Sequence, residues 1–312
     1  DSVATLIVPR LEAPRVTPFD DVFRVVPWGE TENPVEIVAK NLGGAKCIAV
    51  GDQMWARFLV ELMGFVSGAC FVRAVDVVGP LRMVKDAAEI AALQAAGAAA
   101  DRVAVQLQAG NIPLVGRTEA QVSADISARL IAEGHDVVNF AIVAAGENAA
   151  SPHHHAGPRV INKDEIVLCD FGGTMNGYCS DITRCVFVGT PSRKITSAYS
   201  VLHASHAAGV KAGVVGATCE SVDAAARKVI DDAGLGDFFI HRTGHGIGME
   251  AHEDPYMVSG NKLPIAAGHA FSVEPGIYLP GTWGMRLEDI VVATDAGPIA
   301  MTNVDHSLVV IN

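Results

Sequence analysis

The sequence is short of positive charge. Lys and Arg number 23 against 35 Asp and Glu, giving a net charge of −12 over 312 residues. A nucleic-acid surface needs clustered cations, so this balance argues against that class of partner. It disfavours an anionic membrane surface for the same reason. No run of about 18 apolar residues occurs, so no transmembrane helix is expected, and the start carries no signal-peptide pattern. The chain opens at Asp1 without a Met, so residues upstream are expected. Cysteine is also sparse. Cys47, Cys70, Cys169, Cys179, Cys185 and Cys219 include no C-x-x-C pair, which speaks against a zinc knuckle or a thioredoxin motif. An even count in a long, core-rich chain does not demand disulfides. The six are read as buried free thiols in a reducing cytoplasm, with Cys179 sharing strand parity with Asp181. H-E-x-x-H, Walker and G-x-S-x-G motifs are missing. Gly244-x-Gly246-x-Gly248 brings its third glycine too early for a dinucleotide loop.

What is present is a core. Half of the residues are apolar and 19% are charged, and the length suffices for two domains. Residues 1–83 read as a small α/β unit. Thr5-Leu6-Ile7-Val8, Cys47-Ile48-Ala49-Val50 and Phe71-Val72-Arg73-Ala74-Val75 have the composition of strands, and Met54 to Met63 that of a helix. An Ala-rich helix over Ala87–Gln108 opens the second domain, residues 84–312.

That second domain repeats itself. Gly116-Arg117-Thr118-Glu119-Ala120-Gln121-Val122 leads a helix to Gly134, and Gly216-Ala217-Thr218-Cys219-Glu220-Ser221-Val222 leads one to Gly234. Thr118 and Thr218 suit N-caps, and the closing glycines suit C-caps. Another helix precedes each copy, Ala87–Gln108 and Ser192–Ala212. Strands ending in acids follow each: Asp170 then Asp181, Glu274 then Glu288. Duplication predicts two halves about a pseudo-two-fold axis, with the acid-bearing strands at the centre.

Asp170, Asp181, His245, Glu274 and Glu288 lie in or beside short apolar runs, where an acid is costly without a partner or a metal. Asn176-Gly177 is a hairpin signal. If Thr174-Met175-Asn176-Gly177 forms the loop, Gly173 pairs with Tyr178, and Asp170 stands opposite Asp181. Opposed carboxylates repel, yet they can grip two cations about 3.5–4 Å apart. Four carboxylates and one imidazole suit manganese, cobalt or zinc. A single histidine without cysteine disfavours a structural zinc site. Two ions sharing a water imply hydrolysis, with a glutamate as proton shuttle. Histidines serve as donors to developing charge, the candidates being His153, His154, His155, His241 and His252.

These residues resemble a known family, the pita-bread metallopeptidases: prolidase, aminopeptidase P and methionine aminopeptidase. The resemblance covers about residues 84–312. It rests on Asn148-Ala149-Ala150-Ser151-Pro152-His153, Asp170 with Asp181, Thr243-Gly244-His245-Gly246-Ile247-Gly248, Val273-Glu274-Pro275-Gly276 and Arg286-x-Glu288-Asp289. The resemblance implies an α+β fold with a pita-bread catalytic domain behind a small α/β domain. It implies two divalent ions, foremost manganese, with Asp181 and Glu288 contacting both and Asp170 bridging less. His245 and Glu274 would hold one ion, and Glu274 would also shuttle the proton. His153 and His252 would hold the substrate and stabilise the tetrahedral intermediate. His241 and Arg286 match positions that shape the pocket in proline-specific members. The amino-terminal domain and the linker Leu81–Lys85 favour the Xaa-Pro branch. The expected substrate is therefore a dipeptide or short peptide with proline second, and the expected assembly is a homodimer. The first domain is shorter than is usual. Two rivals share the fold: a metal-free creatinase-like hydrolase, and a non-catalytic binding protein. Both are distinguished by loss of ligands, and all five are present.

Overall fold

Strands and helices alternate through the first part of the chain in the computed structural model, which describes residues 4–17, 19 and 21–311. The chain divides into two units, Asp1–Leu81 and Arg82–Asn312. The elements run β1 (Ala4–Pro9), β2 (Phe23–Trp28), α1 (Pro34–Asn41), β3 (Cys47–Val50), α2 (Ala56–Phe65), β4 (Cys70–Arg73) and α3 (Val75–Met83). β1 pairs with β2 and β3 with β4, both in parallel. β4 stops at Arg73, short of the expected Val75, because Val75 already starts α3. β2 and α1 escape the hydrophobic pattern. The start of α1 is nonetheless written locally: the Asn33 side chain accepts from the amides of Val35 and Glu36, and Pro34 follows it.

In the second unit, α4 (Ala87–Gln108) starts with a capping box, Asp86 with Glu89. α5 (Glu119–Ala132), β5 (Val137–Ala145), β6 (Glu165–Met175), β7 (Tyr178–Cys179) and β8 (Ile182–Val188) follow. They complete the first half. The second half carries α6 (Arg193–Ala212), α7 (Cys219–Asp232), β9 (Gly244–Gly246), β10 (Glu253–Met257), β11 (Ala270–Val273), β12 (Gly276–Leu279), β13 (Trp283–Arg286), β14 (Asp289–Val292) and β15 (Ile299–Ala300). A last strand, β16 (Val309–Ile311), returns to the first sheet. That sheet has the order β16-β8-β6-β5, with β7 beside β6; the other has the order β10-β9-β11-β14-β15, and β12 and β13 form a separate ribbon.

The first sheet is covered on both faces, which is why β6 and β8 read as continuous apolar runs. Val167, Cys169 and Phe171 pack with α4 and α5. Ile166 and Leu168 face the other way, towards α6, β12 and β13. Asp170 has the parity of the second set, so its carboxylate emerges on that side.

The hairpin register differs from the sequence expectation. Met175 pairs with Tyr178, so the loop is only Asn176-Gly177, with positive φ at both residues, 50° and 84°. That is the two-residue turn that Asn-Gly favours. Asp170 therefore pairs with Thr183, not with Asp181. The slip is two residues, which leaves every side chain on its expected face. Asp170 and Asp181 are diagonal neighbours across the hairpin.

Two further expectations need correction. Cys47 and Cys70 are exposed, whereas Cys169, Cys179, Cys185 and Cys219 are buried. Thr218 stands at the N-cap position of α7, but its side chain accepts no amide hydrogen bond, unlike Thr118 on α5.

Candidate active site

Four of the five ligand candidates sit where a strand begins or ends or between two glycines, and the fifth lies mid-strand. Asp170 lies inside β6. Asp181 occupies the break between β7 and β8. Glu274 follows the last residue of β11. Glu288 precedes β14 and bridges Thr183 of β8, which joins the two sheets. His245 is the middle of β9, between two glycines. A Cβ on Gly244 would lie 1.9 Å from the Ser272 carbonyl oxygen, and one on Gly246 2.3 Å from that of Asp254. Only glycine lets the neighbouring strands close on both sides of His245.

The structure brings all five together with His153, His241, His252 and Arg286 around one cavity of about 610 Å³, also lined by Phe140, Ile142, Pro152, Arg242 and Val258. Asp170, Asp181, His245 and Glu288 are buried, and the Glu274 side chain is 15% exposed. Ligand atoms of Asp170, Asp181 and Glu288 fall within 4.8 Å of one another, and so do those of His245, Glu274 and Glu288. His245 Nε2 stands 3.4 Å from Glu274 Oε1 and 3.8 Å from Asp181 Oδ2. His154 and His155 do not reach the cavity: His154 Nε2 is 2.7 Å from Glu119 Oε2, and His155 is exposed. Cys179 meets Asn139, Thr174 and Met249 instead.

The tautomers follow from the carbonyls. His245 Nδ1 lies 3.1 Å from the Gly246 carbonyl oxygen, which can only accept. The proton therefore sits on Nδ1, and Nε2 turns its lone pair to the acids. His241 Nδ1 donates to the Arg242 carbonyl at 2.7 Å, so its Nε2 accepts from Tyr278 Oη at 2.9 Å. Tyr278 in turn accepts from Arg286 Nη1 at 2.8 Å. Both ring nitrogens of His241 are engaged, so it forms cavity wall. Arg286 is equally occupied: it donates to Asp170 Oδ2, to Thr183 Oγ1 at 3.1 Å and to the Pro152 carbonyl at 3.3 Å. It ties the acid centre to the segment that carries His153.

Burial, together with repulsion from Glu288, Asp170 and Glu274, raises the Asp181 carboxyl well above its usual range. Burial and the acids Glu274 and Asp170 do the same to Glu288. Burial pushes Glu274 up to about 7. His245 is pushed down to about 3 by burial, then by His252, whose ring centroid lies 3.9 Å away. The four acids outnumber the positive charge that Arg286 brings to them. Asp170 Oδ1 is buried without a hydrogen-bond partner. A neutral imidazole nitrogen, four carboxylates and an orphaned oxygen make a donor set that fits hard or borderline divalent cations.

A family model, that of metallopeptidase family M24, matches residues 89–295. The chain belongs to metallopeptidase family M24. The family's pita-bread fold is the fold seen here, and the relatives named below are peptidases. The chain is similar to a probable dipeptidase PepE of Mycobacterium tuberculosis, 46% identical over 290 residues, or 92% of this chain and 76% of the relative. It is 38% identical to an Xaa-Pro dipeptidase of Lactobacillus helveticus, over 90% of this chain and 78% of that one. Among solved structures, dipeptidase PepE from Mycobacterium ulcerans superposes with a TM-score of 0.92 at 47% identity, covering 100% of this chain and 84% of the other. No helix among the described residues is long and apolar enough to cross a membrane.

Sequence reasoning did not single out several residues that hold the cavity's side chains in place. Tyr278 lies in β12 and Thr183 in β8, where tyrosine and threonine are ordinary strand residues. Thr183 Oγ1 donates to Glu288 Oε2 at 2.6 Å, and Ser272 Oγ to Glu274 Oε1 at 3.2 Å. Glu119 is fully buried at the start of α5. It accepts from Ala145 N, from Asn148 Nδ2 and, through His154, from the loop that holds His153. Its only sequence signal is an acid in a first helical turn, which many exposed acids share.

Proposed function

We propose that this chain hydrolyses the Xaa-Pro bond at the amino terminus of dipeptides or short peptides. Asp170, Asp181, His245, Glu274 and Glu288 would hold two divalent ions, manganese foremost. The observation that carries this reading is the convergence of four carboxylates and a lone-pair imidazole nitrogen on one cavity, with Asp170 Oδ1 left unpartnered. When bound, the ions supply a water of lowered pKa and polarise the scissile carbonyl.

The remaining chemistry belongs to side chains. Glu274, which faces the cavity and accepts from Ser272 Oγ, takes a proton from the attacking water and returns it to the leaving proline nitrogen. His252 and His153 flank the cavity and donate to the oxygen that gains charge. The acids favour the substrate's ammonium group. Proline's nitrogen in the scissile bond carries no N–H, so a subsite walled by Phe140, Ile142, Pro152 and Val258 leaves no donor unsatisfied. His241 and Arg286 fix the shape of that wall through Tyr278. The Xaa-Pro dipeptidase relative supports the specificity.

The test is a substrate series, Xaa-Pro, Xaa-Ala and Xaa-Pro-Xaa, assayed with manganese while metal is counted on the same sample. Hydrolysis of Xaa-Pro that disappears on chelation and returns with manganese is expected. Equal rates on Xaa-Pro and Xaa-Ala would refute the specificity. Full activity after chelation and dialysis would refute the metal.

A further inference from the structure

A second group of metal-ligating side chains lies on the far side of β14 from the acid centre. Glu288 and Asp289 are consecutive in extended backbone, so they point to opposite faces. Asp289 is buried and meets two histidines from distant parts of the chain. His306 Nε2 is 2.6 Å from Asp289 Oδ2, and His206 Nε2, from α6, is 3.0 Å from the same oxygen. One ligand atom from each of the three falls within 4.8 Å of the others. His203, one turn earlier on α6, places its ring centroid 6.1 Å from that of His306.

The hydrogen bonding favours a ligand here. The other oxygen of Asp289, Oδ1, accepts from Arg184 Nη2 at 2.7 Å and Thr302 Oγ1 at 2.6 Å. That is the outer support a ligating carboxylate receives, and it turns Oδ2 towards the two histidines, where His306 Nε2 meets it in a hydrogen bond at 2.6 Å. His206 is 4% exposed, and its Nε2 is buried without a hydrogen-bond partner. It approaches Oδ2 off the line that an N–H···O bond requires. Three buried side-chain atoms among the described residues are orphaned in this way. One is Asp170 Oδ1 in the acid centre; the others are His206 Nε2 and Asp101 Oδ1. Asp101 lies close enough to feel the charges of Arg184 and Asp289, so two acids here face one arginine.

We propose that His206, His306 and Asp289 form a separate metal site, one that takes a zinc- or cobalt-class divalent ion. Two imidazoles and a carboxylate suit that class and disfavour magnesium and calcium. His306, whose side chain is 34% exposed, opens the site to solvent, which supplies the fourth ligand as in other three-ligand zinc sites. Arg184 connects it to the acid centre: its Nη1 donates to the backbone carbonyls of Thr183 and Glu288.

Zinc stoichiometry after equilibrium dialysis tests the site, with the Co(II) visible spectrum as a second readout. His306→Gln, a substitution at a partly exposed position, should bind one zinc fewer per chain than the unaltered protein and lose one tetrahedral Co(II) component. Asp181→Asn combined with His245→Ala removes ligands of the acid centre, and this variant should still retain one zinc. An unchanged zinc count in His306→Gln, or no zinc in the doubly substituted protein, would overturn the proposal.

Discussion

At the scale of single residues, the centre is built from buried acids that repel one another. Glu274 illustrates the point. It accepts from Ser272, faces the lone pair of His245 and is pushed up to about 7 by burial. Glu274→Gln keeps the shape and removes the proton acceptor, so kcat on Xaa-Pro should fall by ~10²–10⁴. Steady-state kinetics read this directly, and a fall under tenfold would exclude Glu274 as the shuttle. Tyr278→Phe tests the wall. The lost hydroxyl leaves a buried Arg286 N–H and His241 Nε2 without their partner, at a cost of ~1–3 kcal/mol in urea unfolding. KM should rise more than kcat falls, because the group touches the pocket's shape and not the reacting atoms. The convergence of Asp170, Asp181, His245, Glu274 and Glu288 was legible because acids and a glycine-flanked histidine stand out in apolar strands. Tyr278, Thr183 and Glu119 were not: tyrosine, threonine and a first-turn acid are ordinary where they occur, and their partners lie about 8, 105 and 35 residues away in sequence.

At the scale of elements, the duplicated halves are alike in topology and unlike in detail. α5 and α7 begin at the same point of the repeat, yet only Thr118 caps with its side chain, accepting from Gln121 N at 3.2 Å while the Gln121 side chain accepts from Thr118 N at 2.9 Å. In the second copy position 221 is a serine, too short to close the box, and its hydroxyl donates to the Thr218 carbonyl. Thr118→Ala should therefore cost ~1 kcal/mol of stability, and Thr218→Ala only a few tenths. Chemical denaturation of the two variants compares them, and equal losses would contradict the reading. The repeat itself was visible from glycines, threonines and acids at matched spacing. The hairpin register was not, because a four-residue and a two-residue loop put the same side chains on the same face. Parity fixed which acids converge; only the positive φ values of Asn176 and Gly177 fix which residues oppose them.

At the scale of the whole molecule, the cost of the site can be read in its pH dependence. In the metal-free chain Asp181 and Glu288 are held well above the usual range, and Glu274 near 7, by burial and then mutual repulsion. In the unfolded chain the same carboxyls titrate near 4. Above that value the folded chain retains protons that the unfolded chain has lost, so this contribution falls as pH rises. His241 and His245, pushed down to about 3 by burial, act in the opposite sense: there the unfolded chain binds the extra proton, and stability rises with pH until about 6.5. Above pH 7 those histidines are neutral in both states, and the sign is set by the acids together with the thiols of Cys169, Cys179, Cys185 and Cys219, which burial also raises and which act in the same direction. The chelated protein should therefore lose stability between pH 7 and pH 9, and manganese should flatten that loss by taking the place of the protons. Asp181→Asn removes one of the repelling charges. It should raise the urea midpoint of the chelated protein at pH 8 and abolish hydrolysis, separating stability from function at one position. A chelated Asp181→Asn protein less stable than the parent at pH 8 would mean that these acids are not held together against their own charge.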